Sequence, residues 1–295
     1  MRILVTGANG LVGKNIARAL SSTPKFEVYA TSLKKLQIDG ATTFTSNLLN
    51  ADINHMIDDI KPEILVHCAA ISSPDACEVD RFACHRMNVE LTKRFVSACV
   101  DYNVHMVFLS TDFIFDGSKG DYTEQDTANP INYYGESKLE AENLILASSV
   151  GSTIVRTSLV YGIEPKLSRP NIITRVIDNL SKSKSYKVPT DQIRTPTYAP
   201  DLATAIVQIC LNKTTGIYNV SGQQKISVAD FAIQAAKSFA LNHELLFPVN
   251  SNELAEAAPR PKDTSLVIDK AKSELGYQPT SIEMALEKIK QTLYS

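Results

Sequence analysis

A strand-length run, Arg2–Thr6, leads directly into Gly7-Ala-Asn9-Gly10-Leu-Val-Gly13 and on into an amphipathic segment, Leu11–Leu20. A strand that turns through glycines into a helix constrains the chain more than any other feature. Glycine adopts backbone conformations closed to other residues and lets backbone N–H groups come close to a bound group. The helix that follows presents its positive dipole end to the same place, which favours an anion such as a pyrophosphate. The spacing is G-x-x-G-x-x-G rather than the general G-x-G-x-x-G. Its context, after a strand and opening a helix, is the one in which such a cluster binds a dinucleotide. The alternative is a plain strand-to-helix turn.

Apolar runs at Phe26–Ala30, Ile64–Cys68, Val104–Ser110 and Ser152–Arg156 read as further buried strands. Helix-length patterns at Ala51–Ile60, Phe82–Tyr102 and Tyr133–Ala147 lie among them. Strands alternating with helices predict a parallel sheet covered on both faces. After about residue 160 the rhythm loosens, and prolines from Pro165 to Pro279 punctuate short elements. Ser227-Val-Ala-Asp230 has the form of a capping box opening a helix, and Ile282–Leu293 reads as an amphipathic C-terminal helix. The expected class is α/β. A Rossmann-type doubly wound parallel sheet spans residues 1–160, with some later segments returning to it. A smaller C-terminal α/β substrate lobe spans mainly residues 161–295.

The charge balance, 30 basic against 32 acidic residues, gives no reason to expect nucleic acid or an anionic membrane as partner. No run of about 18 apolar residues is present to span a bilayer. Met1-Arg-Ile-Leu-Val-Thr-Gly has no signal-peptide pattern. Five cysteines, Cys68, Cys77, Cys84, Cys99 and Cys210, lack paired CxxC spacing and read as reduced thiols. A cytoplasmic protein without a metal site is expected.

Tyr134-Gly-Glu-Ser-Lys138 places a phenol and an ammonium one helical turn apart, able to face one cleft. A free tyrosine titrates near about pH 10, and lowering that by roughly three units takes about 4 kcal/mol. A cation about 4 Å away at an effective dielectric near ~20 supplies about that much. Lys138 alone is therefore expected to make Tyr134 a usable proton donor or acceptor. Ser110-Thr111-Asp112 ends a predicted strand with hydroxyls, at the edge where doubly wound sheets bind ligands. Such a hydroxyl can hydrogen-bond a substrate carbonyl while the tyrosine delivers a proton. Asn88 reads either as the carrier of a relay water to Lys138 or as a polar helix residue. At the end of the second strand stands Thr31-Ser32-Leu-Lys34-Lys35 instead of an acidic residue. An acidic residue there would repel a 2′-phosphate, so NADPH is the expected cofactor, with NADH as the alternative. Ser32 and Lys34 are its expected contacts. The alternative is that the lysines are merely solvated.

Gly7-x-x-Gly10-x-x-Gly13, Ser110-Thr111-Asp112 and Tyr134-x-x-x-Lys138 together resemble the extended short-chain dehydrogenase/reductases. Within them the chain is most similar to the dTDP-4-dehydrorhamnose reductases. Val107–Gly117, Asn132–Glu142, Val155–Gly162, Thr195–Ala203, Gly216–Gly222 and Arg260-Pro261 carry the likeness along most of the chain. The resemblance implies an oxidoreductase in which Tyr134 protonates the C4 oxygen of a nucleotide-linked keto-sugar. Lys138 would lower the tyrosine pKa and hold the nicotinamide ribose, and Thr111 would bond the keto oxygen. Gly10, Leu11 and Val12 would meet the pyrophosphate. Cys68, Ala69 and Ala70 would line the ribose and nicotinamide, and Asn47 and Leu48 the adenine. Ser72, Asp112, Phe113 and Arg260 would contact the substrate, and a homodimer is admitted.

The chain departs from that pattern at His67, where relatives usually have asparagine, and at Leu159, where they often have tryptophan. His67 is expected to be a satisfied strand-end residue. Arg194 and Lys262 are further candidates for the diphosphate. Dehydratases of the superfamily have a glutamate after Thr-Asp, and Phe113 stands there instead. Epimerases, and nucleotide-binding regulatory subunits that keep the same motifs, stay open as alternatives.

Overall fold

Alternation of strand and helix produces the expected sheet. The computed structural model describes residues 1–164 and 169–294; Pro165, one of the expected breaks, lies outside them. Strands β1 (Arg2–Thr6), β2 (Glu27–Ser32), β3 (Ala41–Thr45), β4 (Ile64–His67), β5 (His105–Thr111) and β6 (Ser152–Thr157) join the strand Gly216–Asn219 in a seven-stranded sheet. Its order is Gly216–Asn219, β6, β5, β4, β1, β2, β3, and every neighbouring pair is parallel. The fold is a Rossmann-type α/β fold. The connections run to opposite sides of β1 after β1 and after β3, so the chain diverges beyond β1 and β4 and leaves a crevice there.

Side-chain alternation along β1 sends Ile3 and Val5 to one face and Leu4 to the other. The first face packs on helix α1 (Leu11–Ser21) through Ile16 and Leu20, and on the helix Ala199–Asn212 through Leu202, Ile206 and Ile209. The second packs on the helices Ile53–Ile60, Leu91–Asp101 and Tyr133–Leu146 through Ile57, Phe95 and Ile145. Segments 199–219 thus belong to the main sheet despite their late position. A separate core joins the helices Ile172–Ser181, Val228–Ser238 and Ile282–Tyr294 in the second lobe. Ser227 caps the second of these by accepting from the Asp230 N–H at 2.9 Å. No helix among the described residues is long and apolar enough to cross a membrane.

Several elements differ from the sequence expectation, among them the helices Pro74–Val79, Ile172–Ser181 and Ala199–Asn212, which it did not contain. Strand β3 has no apolar run; it is a half-exposed edge strand, Ala-Thr-Thr-Phe-Thr, formed by pairing with β2. The segment expected as one helix over Phe82–Tyr102 is broken. A short helix, Arg81–His85, passes into a π-helical turn, Arg86–Glu90, before Leu91–Asp101. The turn widens around Asn88, whose side chain pairs with the backbone of Ile71 instead of facing solvent.

The helix Tyr133–Leu146 is tied to the sheet by buried charge. Arg156 on β6 donates from Nη2 to Glu142 Oε2 at 2.7 Å and from Nε to both oxygens at 3.2 Å. Ser110 donates to the same carboxylate. Removing one partner of such a pair strands a buried charge. Arg156→Met should therefore destabilise the protein by about 3–5 kcal/mol. Urea denaturation measures this, and a cost below about 1 kcal/mol would show the pair to be solvated.

Candidate active site

Beyond the carboxyl ends of the strands, one cavity of about 870 Å³ reaches from the glycine turn into the second lobe. Gly7, Asn9, Gly10, Leu11, Val12 and Gly13 form one end. Gly7 has φ 67, and a Cβ there would lie 2.8 Å from the Ala69 backbone. A Cβ on Gly13 would lie 2.4 Å from the Gly7 carbonyl. The turn can close only with glycine at both places. Helix α1 starts directly behind it with no acidic residue in its first turn, so its N-terminal dipole is uncompensated.

Cys68, Ala69 and Ala70 after β4, Asn47 and Leu48 after β3, and Ser32 at the end of β2 line the adjoining wall. Lys34 does not join them. The Ser32 hydroxyl donates to the Lys34 carbonyl at 2.5 Å, and the Lys34 side chain is exposed outside the cavity, with Leu33 in the wall instead.

His67 lies behind this wall. Thr6 Oγ1 accepts from the N–H groups of Cys68 and Ala69, each at 3.2 Å, so its own proton goes to His67 Nδ1 at 2.8 Å. The imidazole therefore carries its proton on Nε2 and donates to Thr92 Oγ1 at 3.3 Å, which donates to the Asn88 carbonyl at 2.7 Å. Burial, with the nearby Lys138 charge, pushes the His67 pKa down to about 3. It is a neutral, satisfied residue. The Asn88 side chain accepts from the Ile71 N–H at 2.8 Å and donates to the Ile71 carbonyl at 3.1 Å and to Ser137 at 3.0 Å. Its amide thus clamps the Ile71 backbone to the helix that carries Tyr134.

Thr111, Tyr134 and Lys138 line the same cavity. Asn132 caps the helix that carries Tyr134 and Lys138 by accepting from the Gly135 N–H at 2.9 Å. Burial holds the Tyr134 phenol above its ordinary pKa, against a hydrogen bond from Thr111 that lowers it. The Lys138 ammonium rests over the ring of Phe108, 3.8 Å from its centroid, and burial lowers its pKa to about 8. The simple expectation, a cation that by itself draws the phenol down, is not what the protein groups produce. Desolvation outweighs the lowering by Thr111 and by the Arg169 charge and keeps the Tyr134 phenol protonated.

Asp112 lines the cavity, but its carboxylate is engaged. It accepts from Thr111 at 3.2 Å, Ser158 at 2.8 Å and Thr264 at 2.5 Å, and faces Arg194 at 3.7 Å. Burial raises its pKa against the pull of Arg194. Asp112 therefore cross-links β5 to the second lobe. Arg194 itself is consumed by Asp112 and by the carbonyls of Ile193, Pro261 and Lys262. Lys262 is exposed outside the cavity. Phe113 meets the Tyr134 ring edge-on at 6.0 Å, and Ser72 accepts from Arg169 at 3.0 Å. Arg260 enters the wall already paired with Asp75 at 2.7 Å and Glu256 at 3.5 Å. Arg169, Arg175 and Lys187 also line the cavity. Arg175 lies on the helix Ile172–Ser181 and Lys187 on the strand Tyr186–Pro189, and no motif in the sequence singles the three out.

The model of the RmlD substrate binding domain family matches residues 1–295. The chain belongs to this family. It is 31% identical over 302 residues to dTDP-4-dehydrorhamnose reductase of Aggregatibacter actinomycetemcomitans, covering 98% of each chain. A solved dTDP-4-dehydrorhamnose reductase from Bacillus anthracis, in complex with NADP, matches with TM-score 0.87 at 27% identity, over 100% of this chain and 99% of that one. Methionine adenosyltransferase 2 subunit beta of Rattus norvegicus is 28% identical over 285 residues, 90% of this chain and 80% of that protein. The RmlD family chain is thus an extended short-chain dehydrogenase/reductase of the dTDP-4-dehydrorhamnose reductase type, within the NAD(P)H-dependent oxidoreductases.

Between pH 6.5 and about 3 the unfolded His67 binds a proton that the folded one refuses. Stability should then be lost as pH drops through that window, by at most about 1.4 kcal/mol per unit from this group. His67→Asn should flatten the slope between about pH 4 and 6, as read by urea unfolding. The same slope in both proteins would mean that His67 is not held neutral.

Proposed function

We propose that the protein reduces the C4 ketone of a nucleotide-linked 4-keto-6-deoxysugar with NADPH, NADH being the alternative donor. The substrate that fits the resemblance best is dTDP-4-dehydro-L-rhamnose, giving dTDP-L-rhamnose. The observation that carries the reading is that the glycine turn, Thr111, Tyr134 and Lys138 open on one cavity. The glycine turn and the start of α1 would hold the pyrophosphate, Asn47 and Leu48 the adenine, and Cys68, Ala69 and Ala70 the ribose and nicotinamide.

Bound NADPH supplies the hydride that reduces C4. Thr111 donates a hydrogen bond to the keto oxygen and aligns it with Tyr134. The phenol gives its proton to that oxygen as negative charge develops there. A phenol held protonated by burial suits this direction. Lys138 stabilises the phenolate left behind and binds ribose hydroxyls. Ser72, Phe113 and Arg260 face the sugar nucleotide. No carboxylate follows Asp112, so elimination has no base at that position.

Tyr134→Phe should lower kcat by about 100-fold or more, the usual weight of a general acid. NADPH binding, titrated by fluorescence, should change little. Lys138→Met should weaken both. The assay uses dTDP-, UDP- and GDP-linked 4-keto-sugars with each cofactor; full turnover by Tyr134→Phe removes the mechanism.

Arg260→Ala should raise KM for the nucleotide sugar at least about fivefold, the weight of one charge-assisted bond. An unchanged KM would leave Arg260 as a structural partner of Asp75 and Glu256 alone.

A second reading has one observation in its favour, the likeness to a protein named as a subunit of methionine adenosyltransferase. It holds that the chain binds nucleotide to regulate another enzyme. Tight NADPH binding without oxidation by any sugar in the panel, together with copurification of a second chain, would select it.

A further inference from the structure

Lys138 is only 3% exposed. Among the described residues its ammonium makes no hydrogen bond and no salt bridge; its close contact is the face of Phe108. A buried ammonium is costly unless paired, and the usual partner is a carboxylate. The nearest carboxylate on its own helix, Glu142, is already bound to Arg156 and Ser110. An aromatic face attracts a cation through its quadrupole and brings neither a compensating charge nor an acceptor lone pair.

Phe108 is well placed for this. It is buried on β5, two residues before Ser110, and pairs in register with His67 on β4. The two rings stack at 6.0 Å with an interplanar angle of 26°. His67 is neutral, so no second cation sits behind the ring to repel the first. The other titratable groups facing Lys138 are Cys68 beyond β4, Cys77 and Cys84 on the short helices before Asn88, and Glu142. Each of these favours the ammonium, and burial outweighs them.

We infer that Phe108 is the positioning residue of Lys138, its ring face holding the ammonium charged at the cavity wall and leaving N–H donors for ligand hydroxyls. This rests on the proposed reaction only for what the ammonium then does. The ring favours the charged form, so its loss should lower the pH at which Lys138 deprotonates.

The test is an NMR titration of the protein labelled with 13Cε-lysine, the Lys138 signal being assigned with Lys138→Met. The midpoint should lie near pH 8 in the parent protein. Phe108→Leu should move it down by about one unit, the weight of a desolvated cation–π contact. Phe108→Tyr, which keeps the π-face, should restore it to within a few tenths. Phe108→Met is the second apolar variant should the leucine protein fail to fold, as judged by its thermal melt. An unchanged midpoint in a folded leucine or methionine variant overturns the inference. The alkaline limb of kcat/KM should follow the NMR midpoint. A shifted midpoint in a protein that reduces no keto-sugar would uphold the role of Phe108 and remove the reaction instead.

Discussion

One lateral row of the sheet sets everything else. Parallel pairing aligns Thr31, Thr6, His67, Phe108 and Ile154 across β2, β1, β4, β5 and β6. Three members of that row act on the site. Thr6 gathers the N–H groups that open the wall after β4, His67 links that wall to the Asn88 turn, and Phe108 lies under the Lys138 ammonium. A one-residue slip in any of these strands would send its side chain to the opposite face of the sheet. The site is thus built on register, and only its rim on loops.

The same row explains why desolvation governs the electrostatics. The helix that carries Tyr134 and Lys138 packs on one face of the sheet, and its polar groups are satisfied one by one. Asn132 caps it, Ser137 meets Asn88, and Glu142 meets Arg156 and Ser110. Lys138 is the exception, and it faces the cavity. Asp112, by contrast, is surrounded by donors and belongs to the joint between lobes. Neighbouring residues of one motif therefore do different work: Thr111 turns toward Tyr134 and Asp112 toward Arg194.

The two lobes meet through paired charge as well. Asp75 on the first holds the Ala258 N–H at 3.1 Å and the Arg260 guanidinium at 2.7 Å. Arg260 is compensated by Asp75 and Glu256 as it stands, so the role proposed for it in binding depends on how far those carboxylates give it up. Arg169, Arg175 and Lys187 bring further positive charge to the same wall.

Local sequence determined the strands with continuous apolar runs, the glycine turn, the capping of the helices and the turn-apart placing of Tyr134 and Lys138. These depend on short-range periodicity and backbone sterics, which a single stretch of chain carries within itself. Tertiary structure alone decided the rest. Strand β3 exists because β2 offers it an edge. The π-turn at Asn88 exists because Ile71 offers its backbone groups. Lys34 lies outside the cavity because Ser32 bonds its carbonyl, and Arg169 and Arg175 reach the cavity only through the packing of the second lobe. The pKa directions belong to this second group, because desolvation depends on what surrounds a group in space and not on its neighbours along the chain.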